Sequence, residues 1–284
     1  MLGAADHRGA RLAASQIISV LLLIGGCFVV FGALGRLAPC NPGRPVFFSR
    51  SIGLDLGYCA LGGVGALAAA ALGAIPGASS LSLAGWVAGA SFKVPLWTQV
   101  VGLLIATDFA QYWLHRAFHS PRLWAYHAIH HSASDVNWTT TFRTHPVNYL
   151  VSTALLTMLA RIVGFADMAI LIAAPIFFFS GAWTHANLDW TFGPFRYVIA
   201  SPVFHRWHHS AEAERREANY APLFPVWDLA FGTFYMPAAK RPERYGADGV
   251  PRGMLGQLIH PLRRSAPDAA LSGDAHRSIT DIGT

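Results

Sequence analysis

The stretch VPLWTQVVGLLIATDFAQYWLHRAFH, Val94 to His119, is apolar almost to Leu114 and then places two histidines four positions apart. A helix rising 1.5 Å per residue needs about 20 apolar residues to cross the hydrocarbon core of a bilayer. Residues 94–114 therefore read as a membrane span that delivers His115 and His119 to one membrane face. Residues four apart on a helix are neighbours on one side, so this pair could hold one ion.

The rest of the chain supports a membrane setting. Of its 284 residues 53% are hydrophobic and only 13% charged, and the mean hydropathy is +0.37. That leaves too little polar surface to cover a soluble globule of this size. Further spans are expected near 16–34, which carries no charge, near 52–75, where Asp55 is the only charge, and at 147–165 and 168–185, a pair joined by a turn at Ala166 and Asp167. The run 16–34 is longer than a secretory signal core, and a second span follows it. Residues 79–92 are too short to span and read as an interfacial or re-entrant piece. The expected fold is all-α: a polytopic membrane protein with four to five transmembrane helices and a helical cap at the cytoplasmic face that carries the histidines. Three parts are expected: N-terminal membrane helices (1–92), a catalytic region (93–240), and a basic C-terminal segment with a disordered tail (241–284).

Arginine and lysine are dense after the last span, at Arg206, Arg215, Arg216, Lys240, Arg241, Arg244, Arg252, Arg263 and Arg264. Excess positive charge marks the cytoplasmic side. With five spans the N-terminus lies on the opposite side; counting 79–92 as a span reverses the N-terminal part. Membrane topology accounts for the net charge of +6, and no basic-aromatic nucleic-acid motif accompanies it, so no nucleic-acid partner is expected. Cys27, Cys40 and Cys59 form no disulfide framework or metal motif and read as packing residues.

The chemistry lies in the histidines. Ten of the 13 fall between positions 115 and 209; His7, His260 and His276 lie outside and read as surface residues. HAIHH places His127, His130 and His131 at the spacing that HRWHH repeats with His205, His208 and His209. Positions i, i+3 and i+4 share a helical stripe, so each triple is expected to aim its rings at a common point. A single pair or a lone histidine is more often structural, but two H-x-x-H-H boxes and a pair at one membrane face point to metal. A structural zinc site closes with four ligands. The histidines exceed that number, and two ions with open positions fit better. Imidazole also suits iron and copper.

The boxes HRAFH, HAIHH and HRWHH resemble, in order and separation, the fatty acid hydroxylase superfamily, in particular its sterol desaturase branch of integral-membrane oxygenases. The resemblance runs from about Asp108 to Phe234 and includes DFAQYWLHR, NWTTTFRTHP, HAN and NYAPLFPVWDLAFGTFY. Residues 1–100 share only their hydrophobicity. It implies two iron ions held by His115, His119, His127, His130, His131, His185, His205, His208 and His209, with O2 as co-substrate, a lipid substrate and an external reductant. His185 enters through the HAN match. The outcome implied is hydroxylation or desaturation of a lipid C–H bond. No haem or flavin module is visible, so electrons are expected from a separate protein; Arg215, Arg216, Lys240 and Arg241 could receive an acidic donor, though a basic surface there more often contacts lipid headgroups.

Asp108, His145, Asn187 and Asp189 are further candidates, as extra ligands or as groups that orient the ligands. An acid inside a span usually has a partner, and Asp108 could hold the second nitrogen of a ligand histidine. Where many relatives have an acid this chain has Asn148, which removes a salt bridge there. Phe177, Phe178, Phe179 and Trp183 could line a lipid route or simply pack. Two other readings stay open: a haem-binding electron carrier with His131 and His145 as axial ligands, and a non-catalytic metal-binding membrane protein.

Overall fold

The computed structural model describes residues 22–44, 49, 51–73, 94–212 and 217–263. The interfacial piece expected at 79–92, the first residues of the span at 16–34, Arg215, Arg216 and the expected disordered tail lie outside the described residues. Nine helices are described: α1 (Leu22–Leu37), α2 (Ile52–Gly73), α3 (Leu96–Phe118), α4 (Trp124–His131), α5 (Pro146–Val163), α6 (Asp167–His185), α7 (Pro202–His208), α8 (Val226–Ala230) and α9 (Met254–Ile259). Among the described residues there is no strand, and a single bridge joins Ser210 to Tyr245.

The helix ends follow from local chemistry. Pro146 and Pro202 open α5 and α7, where a missing N–H costs nothing. The Ser201 hydroxyl caps α7 by accepting the Phe204 N–H at 3.2 Å. Gly164, at φ 85°, closes α5, and Ala160 accepts the N–H groups of Gly164 and Phe165. The chain then turns through Ala166 into α6, so the expected 147–165/168–185 pair is present as α5 and α6.

α3 packs against α5 and α6. Leu103 meets Ala160, Ala169 and Ala173 there, small residues that let the helices approach closely. α1 places Cys27 and Phe31 against Trp138, Ala182 and Leu188. Trp183 also packs on Phe31, and Phe178 on Phe142, an aromatic seam beside α1, whereas Phe179 meets Phe31 from an exposed position. The seam needs Gly181: a Cβ there would stand 2.5 Å from the Thr141 hydroxyl.

α6 is the one helix among the described residues that is both long and apolar enough to cross a membrane. α2, α3 and α5 occupy the other expected spans within the described residues. On α3, Trp97, Val101, Ile105, Phe109 and Trp113 recur every four residues and all are exposed, a continuous apolar stripe of a kind that marks an interaction surface. α2 is anchored by its own acid: Asp55, wholly buried, accepts from Arg143 Nε at 2.7 Å and from the Thr139 hydroxyl at 2.6 Å.

Candidate metal centre

The end of α3, all of α4, the end of α6 and all of α7 converge on one volume. His115 lies in the last turn of α3 and His119 at its C-cap. α4 contributes His127, His130 and His131, α6 ends on His185, and α7 carries His205 and His208 with His209 at its C-cap.

The nine rings sort into two groups: His115, His119, His127, His131 and His208 in one, His130, His185, His205 and His209 in the other. Within each group the candidate ligand nitrogens all lie within 4.8 Å of one another. This corrects the expectation that each triple aims at a common point. From HAIHH the i and i+4 rings join the five-histidine group and the i+3 ring the other, whereas HRWHH divides the opposite way. The cause is helix geometry: i+4 advances about 40° past a full turn and i+3 falls about 60° short, so the two diverge by about 100°. Each short helix therefore serves both groups, which abut, with the rings of His131 and His209 stacked at 4.5 Å.

The hydrogen bonds fix which nitrogen is free. His115 Nδ1 meets the Tyr220 carbonyl at 2.8 Å, His208 Nδ1 the Ala218 carbonyl at 2.8 Å, His130 Nδ1 the Arg143 carbonyl at 3.1 Å and His185 Nδ1 the Gly181 carbonyl at 2.7 Å. A carbonyl only accepts, so each Nδ1 carries the proton and each Nε2 a lone pair. His127 does the same with the Asn148 amide oxygen at 2.9 Å.

Those lone pairs face one another. His130 Nε2 and His185 Nε2 are 3.1 Å apart, and His115 Nε2 and His127 Nε2 2.9 Å. Neither contact has a proton to share, so each pair is repulsive without a cation between. The Nε2 atoms of His205 and His209 stand 3.1 and 3.0 Å from that of His185 and 3.2 Å from each other. Imidazole–metal bonds of about 2.0–2.1 Å put neighbouring donors on one ion about 2.9–3.4 Å apart, the range found here. Buried nitrogens with no partner point the same way: the Nε2 atoms of His119, His131 and His208. Left unsatisfied, each costs about 1–3 kcal/mol.

Burial, reinforced by neighbouring imidazoles, pushes His119, His127, His130, His131, His205, His208 and His209 well below the ordinary histidine range. The rings are neutral at pH 7, the form that binds a metal. Imidazole donors at this spacing, neutral and with opposed lone pairs, fit one transition-metal ion in each group.

The other candidates lie outside the two groups. Asp108 is wholly buried but touches no histidine; it accepts the Leu223 and Phe224 N–H groups at 2.7 and 2.9 Å and Trp227 Nε1 at 3.0 Å. A carboxylate about two helical turns deeper than His115 meets the returning loop before it can reach a ligand ring. His145 has both nitrogens engaged, accepting the Val147 N–H at 3.1 Å and donating to the Leu258 carbonyl at 3.1 Å, so it serves the start of α5. Asp189 pairs with Arg241 at the surface. Asn187 exchanges two hydrogen bonds with the Asn41 backbone, at 3.0 and 3.1 Å, holding the segment after α1.

Sequence reasoning missed Asn148 as a support for His127, having read its amide only as a lost salt bridge. It also missed the Gly181, Arg143, Ala218 and Tyr220 carbonyls. Main-chain acceptors leave no residue-type signal, and only the fold brings them to the rings.

The segment that carries these histidines is similar to known proteins. Residues 100–233 match the family model for fatty acid hydroxylase, a range containing all nine histidines. Ornithine lipid hydroxylase OlsE of Rhizobium tropici is 33% identical over 172 residues, 60% of this chain and 52% of that protein. Alkylglycerol monooxygenase of Xenopus tropicalis is 32% identical over 164 residues, 57% of this chain and 33% of that one. Very-long-chain aldehyde decarbonylase CER1 of Arabidopsis thaliana is 28% identical over 161 residues, 48% of this chain and 24% of that one. The alignments thus span about half or less of these curated relatives. No solved structure gives a significant match. The matched region, which carries the histidine boxes, is thus similar to the fatty acid hydroxylase family.

Proposed function

We propose that this chain is a membrane-bound di-iron oxygenase that hydroxylates or desaturates a C–H bond of a lipid, using O2 and electrons from a separate donor protein. The observation that carries the reading is the sorting of nine histidines into two adjoining groups whose lone pairs oppose one another. His115, His119, His127, His131 and His208 would hold one ion, and His130, His185, His205 and His209 the other. Iron bound there supplies the O2-activating redox chemistry that cleavage of an unactivated C–H bond requires. The names of the relatives, an ornithine lipid hydroxylase and an alkylglycerol monooxygenase among them, support a lipid substrate.

The chain's own contribution is positioning and exclusion of water. Main-chain carbonyls and Asn148 hold five rings by Nδ1 and aim Nε2 inward. Such supports fix the tautomer and raise ligand basicity. The aromatic seam around Phe31 and the close α3–α5–α6 contact keep the side of the site facing the helices apolar. In this reading α1, α2, α3, α5 and α6 cross the membrane, and the exposed stripe on α3 faces acyl chains. The histidines then lie at the cytoplasmic end with the basic segment that follows α7, and residues 93–240 form the catalytic unit.

The haem-carrier reading is disfavoured because both His145 nitrogens are taken. The test compares the lipids of cells producing the wild-type chain or His208→Ala. The wild type should yield an O2-dependent lipid that has gained one oxygen atom or lost two hydrogens, absent with His208→Ala. Identical lipid profiles from producing and non-producing cells would contradict the proposal.

A further inference from the structure

The two histidine groups are held by different parts of the chain. In the five-histidine group, His115 and His208 lean on the Tyr220 and Ala218 carbonyls, both in one short loop. That loop is fixed from behind by Asp228, which is wholly buried. Its carboxylate accepts the Tyr220 N–H at 2.8 Å, the Ala221 N–H at 2.9 Å and the Thr233 hydroxyl at 2.6 Å. Between the two carbonyls sits Asn219, at φ 61°, and its amide donates to the Phe204 and Tyr235 carbonyls at 2.7 Å each. The peptides on either side can then point only toward the rings.

In the four-histidine group, His130 leans on the Arg143 carbonyl. Arg143 is locked by Asp55, which also takes the Thr139 hydroxyl. Asp55 and Asp228 are thus two buried carboxylates on different elements, neither touching a histidine, each one step behind one group.

We propose that Asp228 and Asp55 are positioning residues that divide the work: Asp228 sets the geometry of the five-histidine site through the 218–221 loop, and Asp55 that of the four-histidine site through Arg143. Each metal site can therefore be loosened without the other. This rests on the two-metal reading above.

The test is an anaerobic cobalt(II) titration of the full-length, metal-stripped protein in detergent, followed by the visible absorption of bound cobalt. The wild type should bind two ions in two classes. His208→Ala marks the class belonging to the five-histidine group and His209→Ala the other. In Asp228→Asn an amide NH2 replaces an accepting oxygen and meets a backbone N–H. Affinity should fall about 10–100-fold in the class marked by His208→Ala and stay within about twofold in the other. Asp55→Asn should give the converse. A merely structural role would lower both classes together. If either variant fails to fold, Thr233→Val stands in for Asp228→Asn and Thr139→Val for Asp55→Asn, each weakening the same class several-fold. Equal weakening of both classes, or no change in either, overturns this proposal and leaves the two-metal reading standing. A wild type that binds fewer than two cobalt ions overturns both.

Discussion

Asp108 offers the sharpest energetic test of the fold around the site. Its carboxylate is wholly buried on α3 and receives three donors, the Leu223 and Phe224 N–H groups and Trp227 Nε1. Hydrogen bonds to a charged group contribute about 1.5–3 kcal/mol each, and a buried donor left alone costs about 1–3 kcal/mol. In Asp108→Ala all three donors lose their acceptor, so the loss should be about 4 kcal/mol or more after relaxation. In Asp108→Asn one oxygen remains and an NH2 group opposes a backbone N–H, a cost of about 2–3 kcal/mol. Trp227→Phe removes one donor and leaves the carboxylate its two backbone partners, a cost of about 1 kcal/mol. For a chain of 284 residues the unfolding entropy is about 0.6 kcal/mol per degree, so Asp108→Asn should melt about 3–5 °C below wild type. The assay is thermal unfolding in detergent, read by tryptophan fluorescence. Asp108→Asn melting with the wild type, or Trp227→Phe falling below Asp108→Ala, would refute the reasoning.

Four further outcomes are expected. Gly181→Ala brings a Cβ to 2.5 Å from the Thr141 hydroxyl, an overpacking cost of about 1–3 kcal/mol; its melting temperature should fall, and Thr141→Ala in the same chain should restore it. Asn148→Ala removes the partner of His127 and should weaken metal binding about 10–100-fold, measured by competition with a chelator. The metal-free protein should lose stability in acid. Its buried imidazoles have folded pKa values far below the unfolded value of about 6.5, so below that pH the unfolded chain binds protons that the folded chain does not. Stability is therefore complete above about pH 7.5 and falls by up to about 1.4 kcal/mol per pH unit per ring as pH drops through 6; a melting temperature flat from pH 8 to 5.5 would contradict it. Asp189→Asn breaks only a surface pair with Arg241 and should change stability by less than about 1 kcal/mol, with metal content unaltered by elemental analysis.

The sequence carried much of this in patterns that local physics enforces. Apolar runs located α2, α3, α5 and α6, because helix length in an apolar setting is set by rise per residue. The three boxes located eight of the nine histidines, because i, i+3 and i+4 spacing survives whatever the tertiary context. It did not carry the partition of each triple between two groups, which depends on how α4 and α7 face each other across the site. Asp108 and His145 illustrate the other limit: a polar residue near a site in sequence has many possible partners, and main-chain N–H and carbonyl groups that no pattern reveals took both. Asp55, a lone acid near the end of an apolar run, turned out to fix Arg143 from a distant part of the chain.

The central claim is that the nine histidines hold two metal ions, and counting them is the most direct test. Elemental analysis and visible spectroscopy of the purified full-length chain, reconstituted anaerobically with iron(II), should give about two iron atoms per chain and no Soret band. Occupancy near one iron per chain, or a Soret band from bound haem, would contradict the account.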